Sequence, residues 1–174
     1  MRVDGSGCRF AADGSWVEVG AVPGEWLGLV LLRRGGFAVG VAEGPALRAS
    51  KVGTRYVQAR TAAGGWSQHR FARRREGQAR ELVRAAADVS VRLLLPEASR
   101  LDSVVTGGDR AMLDALLADR RLALLRARLS NRVLDVPDPR LNVLQSALAD
   151  ARTVPLRVHD VLRDARPPLP GPGR

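Results

Sequence analysis

Between Gln68 and Val91 the chain sets Phe71, Arg75, Ala79, Leu82 and Ala86 at spacings of three and four residues. Those spacings gather them on one mostly apolar stripe of a long α-helix. Arg70, Arg73, Arg74, Arg80 and Arg84 spread over its other faces. A helix of this kind needs an apolar surface beneath it, and the flanking segments offer one. Trp26–Leu32 and Phe37–Ala42 are apolar runs around Arg33-Arg34-Gly35-Gly36, and a glycine pair between two strand-like runs predicts a hairpin turn. Leu101–Asp109 reads as a strand ending in a Gly107-Gly108 turn, with Asp109 placed to cap a helix through Leu117. Leu122–Leu134 is expected to hold another strand. Asp138 or Pro139 is expected to open a last helix, with Leu141, Leu144, Leu148 and Ala151 on one face. Lys51–Arg60 alternates only in part and reads as a third strand or an irregular lead-in. The order of elements predicts an α/β chain: a mixed β-sheet flanked by helices, in a single domain.

The expected organisation has three parts. Residues 1–25, rich in Gly, Ser and Asp, form an N-terminal hairpin or extension carrying the strand-like run Ser15–Val19. Residues 26–165 form the main domain, and 166–174 a proline-rich tail that does not fold alone. The 174 residues are 45% hydrophobic, enough for a real core, so a wholly disordered chain is excluded. Cys8 is the only cysteine, which rules out an internal disulfide. Cys8, His69 and His159 do not amount to a structural zinc set, and neither a metal nor a cofactor is expected. No run approaches the ~20 apolar residues of a membrane span, and the N-terminus lacks a signal-peptide pattern. A cytoplasmic monomer is the expectation.

Charge says more. The formal net charge is +10, from 28 Lys+Arg against 18 Asp+Glu, and Lys51 is the single lysine. Codon usage accounts for arginine over lysine as readily as function does. It does not account for the excess of positive charge, which points to a polyanionic partner such as RNA. The guanidinium fork matches phosphate and stacks on bases. The charge is densest where Gly64-Gly65-Trp66-Ser67-Gln68-His69 runs into Arg70-Phe71-Ala72-Arg73-Arg74-Arg75. Glycines let a backbone adopt φ > 0 and pass close to nucleotides. A glutamine amide hydrogen-bonds a water without the charge that an RNA-lined pocket repels.

These residues carry a resemblance. The hairpin ending in Val39-Gly40-Val41-Ala42-Glu43-Gly44, the Gly64-Gly65 loop, Arg70-Phe71-Ala72-Arg73-Arg74-Arg75 and the strand ending in Thr106-Gly107-Gly108-Asp109 follow in one order. Together they resemble the catalytic middle domain of eukaryotic and archaeal class I peptide release factors, over residues 26–152. The stand-alone actinobacterial branch, related to factors acting on stalled large subunits, is the more similar. The resemblance implies an RNase H-like fold and a Gly-Gly-Gln loop followed by an Arg-Phe-Ala-Arg-x-Arg helix. In an ungapped comparison Trp66 falls where the family has its glutamine, and Gln68 comes two residues later. Stalled-ribosome relatives carry such a spaced pattern, so the catalytic role is assigned to Gln68.

The implied reaction is hydrolysis of the peptidyl-tRNA ester by water in a pocket walled by ribosomal RNA, with the protein orienting water and stabilising an oxyanion. The implied partners are large-subunit rRNA and peptidyl-tRNA. Gly64, Gly65, Trp66 and Ser67 would form the loop; Arg60, His69, Arg70, Arg73, Arg74, Arg75 and Arg80 would contact RNA. Trp66 either stacks on a base or ribose or packs on its own domain. The chain leaves no room for a codon-reading domain, so codon-independent rescue is expected. Two other readings stand beside this one. One is a ribosome- or RNA-binding protein that has lost hydrolysis through the shifted glutamine. The other is an RNase H-like nuclease using Asp102, Asp109 and Asp114 on Mg²⁺.

Overall fold

The structure is a computed structural model that describes residues 3–4, 7–12, 15–20, 24–54, 67–154 and 156–159. In chain order its elements are β1 (Val3–Asp4), β2 (Gly7–Ala12), β3 (Ser15–Gly20), β4 (Trp26–Arg33), β5 (Gly36–Glu43), β6 (Ala46–Thr54) and α1 (Ser67–Leu94). Then follow β7 (Ser103–Gly108), α2 (Arg110–Leu117), a 3-10 turn (Arg120–Leu122) running into α3 (Ala123–Arg126), β8 (Leu129–Leu134), α4 (Leu141–Ala151) and β9 (Leu156–His159). Contacts divide the chain into two units. One combines Met1–Val22 with Thr153–Arg174; the other is Pro23–Arg152.

The smaller unit is a four-stranded sheet in the order β1-β2-β3-β9, every pairing antiparallel. In it Trp16 and His159, facing each other across β3 and β9, stack with ring centroids 5.7 Å apart.

The larger unit holds a five-stranded mixed sheet, β6-β5-β4-β7-β8. β4, β5 and β6 form an antiparallel meander, while β4–β7 and β7–β8 are parallel. This is the helix-flanked mixed sheet expected from the sequence. β4 is central and buried on both faces, so it reads as a continuous apolar run rather than an alternating one. Its residues still part by face. Val30 and Leu32 join Phe37, Val39 and Val41 under Leu82, Ala86 and Val89 of α1. Leu27, Leu29 and Leu31 join Ala38 and Ala42 under Leu144, Ala147 and Leu148 of α4. One strand thus seats a helix layer on each side.

Four sequence expectations are corrected in detail. The strand placed at Lys51–Arg60 begins earlier, at Ala46, and runs to Thr54; residues 55–60 lie outside the described residues. It is an exposed edge strand, and with no buried stripe to impose alternation its pattern was faint. The segment from Leu122 is helical before it is a strand, because Asp119 caps the turn through the Arg121 N–H and Leu122 and Leu125 bury at helical spacing. The strand itself is Leu129–Leu134. Gly107 and Gly108 end β7 rather than turn the chain, and Gly108 adopts φ +108. Finally, the last helix, expected over Leu141–Arg152, is there as Leu141–Ala151 with Arg152 as its C-cap; only its opening residue differs, Arg140 being the N-cap in place of Asp138 or Pro139, and Pro139 is buried. Asp109 caps α2 as expected, its carboxylate accepting from the Met112 N–H at 3.2 Å.

Among the described residues no helix is long and apolar enough to cross a membrane.

Candidate functional site at the head of the long helix

The direction and length of α1 decide where Gln68 stands. The carboxyl end of α1 leads through a turn at 95–100 to Leu101 and into β7, whose first residue Ser103 pairs with Leu27 at the start of β4. α1 therefore ends level with the start of β4, and its amino end lies toward the other sheet edge. That edge holds the Arg34-Gly35 turn, Thr54 at the end of β6 (paired with Gly36), and Gly108 at the end of β7. An α-helix of 28 residues is ~42 Å long, whereas an eight-residue strand spans only ~26 Å. The helix is longer than the strand by roughly 15 Å, or about ten residues at 1.5 Å each.

From Glu76 onward, Glu76 and Gly77 are exposed, Ala79 is half-buried against the core, and Leu82 is the first buried side chain. Beyond it Ala86, Ala87, Val89 and Ser90 are buried. The Ser90 hydroxyl donates to the Ala86 carbonyl at 2.8 Å, so no polar atom is stranded there. Among the described side chains of α1, burial begins at Leu82. Gln68, its second residue, is fourteen residues and ~21 Å before Leu82.

The first four N–H groups of any α-helix have no partner within the helix, and the summed peptide dipole makes that end electropositive. In α1 the N–H groups of Ser67, Gln68 and His69 are among them, and the first turn has no acidic residue. Arg73, Arg74 and Arg75 follow in the next turn. Sequence and helix polarity therefore add positive potential at the same end. Gly64, Gly65, Trp66 and Arg60 lie outside the described residues. Arg80 is exposed, its guanidinium 3.6 Å from Glu76.

Glycines shape the sheet edge from which the chain leaves β6 for this loop. A Cβ on Gly53 would stand 2.3 Å from the Phe37 ring, and one on Gly36 would stand 2.6 Å from the Gly53 carbonyl oxygen. At Gly108 the positive φ, and the Leu32 carbonyl pressed against the place a Cβ would take, exclude any larger residue. Behind the turn, Arg33 donates to the Val136 carbonyl and ties the segment before α4 to the hairpin.

The aspartates considered as metal ligands have structural partners or stand apart. Asp102 accepts the Trp26 N–H at 2.8 Å, Asp109 caps α2, and Asp114 is exposed on α2. Among the described residues no group of three His, Cys, Asp or Glu is arranged to hold a metal ion. One ionic cluster was not foreseen. Arg121 bridges Asp88 of α1 (2.8 Å) and Asp119 (2.7 Å), clamping α1 to the turn after α2. Hydrogen bonds from the Arg121 side chain and backbone N–H hold the Asp119 carboxyl down to about 2, and the two carboxylates raise Arg121 further above its ordinary range. The Arg120-Arg121 pair beside Asp119 was the available signal, but only the tertiary fold brings in Asp88.

The fold of this unit is similar to part of a translation termination factor. The crystal structure of archaeal aRF1 matches with TM-score 0.56 and 20% identity, over 73% of this chain and 34% of that one. A second structure, titled only as an archaeal protein, matches with TM-score 0.47 and 18% identity over 71% and 32%. The chain thus spans about a third of the archaeal proteins it resembles, and shares the fold of that part of aRF1. None of the curated proteins matches. Residues 25–157 match the family described as Actinobacteria/chloroflexi VLRF1 release factor, and the chain belongs to that family.

Proposed function

We propose that the protein is a peptidyl-tRNA hydrolase that releases nascent chains from stalled ribosomes or large subunits without reading a codon, in the cytoplasm. Membership of a release-factor family supports a role in translation termination or ribosome rescue. The observation that carries the finer reading is the position of Gln68 in the first turn of a helix about ten residues longer than the central strand of its sheet. A group at the tip of such a rod can enter a pocket the domain itself is too wide to enter.

In this reading Gly64, Gly65, Trp66 and Ser67 form the entering loop, and Arg60, His69, Arg70, Arg73, Arg74, Arg75 and Arg80 hold rRNA phosphates around it. The Gln68 side-chain amide orients a water toward the ester carbonyl. The water oxygen bonds to the carbonyl carbon, the bond to the tRNA 3′-oxygen breaks, and the proton ends on that leaving oxygen. The electropositive helix end and its free N–H groups favour the oxyanion that forms between these steps. The glutamine remains uncharged throughout.

The test is release of labelled peptide from peptidyl-tRNA on isolated large subunits, comparing wild type with Gln68→Ala. Release should fall by about 100-fold or more, the scale for losing a group that positions the reacting water or oxyanion. Subunit binding should be unchanged. Equal activity of the two proteins refutes the role of Gln68. Inactivity of both, with binding intact, favours a ribosome-binding protein without hydrolysis.

A further inference from the structure

Gly77 lies inside α1, where glycine weakens a helix relative to any ordinary residue. Glycines elsewhere in this unit have a neighbour pressing on them; at Gly77 nothing stands within 4 Å of the position a Cβ would take. No packing need within the described residues accounts for it. Arg80 and Arg84 follow at i+3 and i+7, on the same side of the helix. Both arginines are exposed, and among the described residues Arg84 has no ion-pair partner, while Arg80 has only the exposed Glu76. They line an open groove of about 340 Å³ between α1 and α2, with Val83, Ala87, Ala115 and Ala118. The groove's one acid, Asp119, is already taken by Arg121. What is left is a shallow floor with two exposed arginines one helical turn apart, Arg84 without an ion-pair partner among the described residues and Arg80 paired only with the exposed Glu76.

We propose that this face of α1 is a track for an RNA backbone, which crosses the helix at Gly77 and lies along the α1–α2 groove with its phosphates on Arg80 and Arg84. The inference rests on the reading of the protein as an RNA-bound factor. It extends the contact surface from Arg80 to Gly77, Arg84 and the α1–α2 groove, farther along the helix from Gln68. A backbone without a Cβ admits a closely approaching strand, and alanines keep the groove open to ribose edges. Arg80 to Arg84 spans ~6 Å of helix axis, close to the separation of consecutive phosphates on a strand. The chain's net charge of +10 and the arginine run upstream favour RNA over an acidic peptide.

Gly77→Ala, Gly77→Gln and Arg84→Gln separate the possibilities in the full-length protein. Binding is measured against deacylated tRNA, deproteinised subunit RNA and intact large subunits across a salt series, with Tm recorded for each variant. Arg84→Gln should lower the log–log salt slope by about 0.7–0.9, the share of one phosphate. Gly77→Gln should weaken binding by about tenfold, because its side chain would hold the strand off Arg80 and cost one charge-assisted contact, while both Gly77 variants keep or raise Tm. Loss against tRNA assigns the track to the acceptor strand, and loss against subunit RNA assigns it to rRNA. If the wild type binds steeply and the variants match it, the track is wrong and the proposed function stands. If the wild type binds none of the three, both fall. If the variants lose affinity only for intact subunits, the track faces a ribosomal protein and the RNA assignment is overturned.

Discussion

Gly53→Ala tests how tightly the edge of the sheet is built where β6 pairs with β5. The new Cβ would sit 2.3 Å from one Phe37 ring carbon and 2.5 Å from the next, where ordinary contact begins at 3.4 Å. The ring must therefore retreat by about 1 Å in an interior packed as densely as an organic crystal. Phe37 is only 5% exposed and packs into the core under α1, so it has no solvent-side room to take. Overpacking of this kind costs roughly 1–3 kcal/mol. For a chain of this size that lowers Tm by roughly 2–4 °C per kcal/mol. Thermal and urea denaturation followed by circular dichroism would measure it. Adding Phe37→Leu to Gly53→Ala should return part of the loss, because the smaller side chain vacates the space the methyl needs. The pair should therefore be less destabilising than the two single losses added, by about 0.5 kcal/mol or more. A Gly53→Ala protein as stable as wild type, or strictly additive losses, would refute the steric account.

Two further outcomes follow from the site's surroundings. Asp109→Ala should cost about 1 kcal/mol through loss of the α2 cap, and Asp109→Asn should recover most of it, since asparagine caps as well; loss of release activity in Asp109→Asn at unchanged stability would instead point to metal chemistry. Asp119 should titrate near 2 by carboxyl NMR, against an ordinary 3.8, because Arg121 holds its charged form. A depressed carboxyl stabilises the fold above the unfolded value and loses that contribution as pH falls toward the folded one. The contribution of the Arg121–Asp119 pair should thus be unchanged from pH 9 to about 4 and be lost between about 4 and 2; a midpoint at 3.8 would show the ion pair is not formed in solution.

Much of this fold is written locally. The three-and-four spacing from Ala79 to Ala86 selects a helix whatever lies beneath it, and Asp109 announces a cap through a hydrogen bond only three residues long. The apolar runs of β4 and β5 around a tight turn make a hairpin without help from the rest of the chain. The family motifs were legible for the same reason, being short stretches of fixed order. Elements whose partners are distant in sequence were blurred. β6 is an edge strand with one exposed face; the helical turn at 120–126 is held by Leu122 and Leu125 entering a core assembled from other segments; and β9 finds β3 across most of the chain. The candidate site divides in the same way. Its residues, Gln68 and the arginines behind it, can be read from sequence. How far Gln68 stands from the body of the domain cannot, because it depends on where α1 ends against β4 and β7, on the shorter reach of the strands, and on where burial of the helix begins. Those are long-range distances, and only the packed sheet sets them.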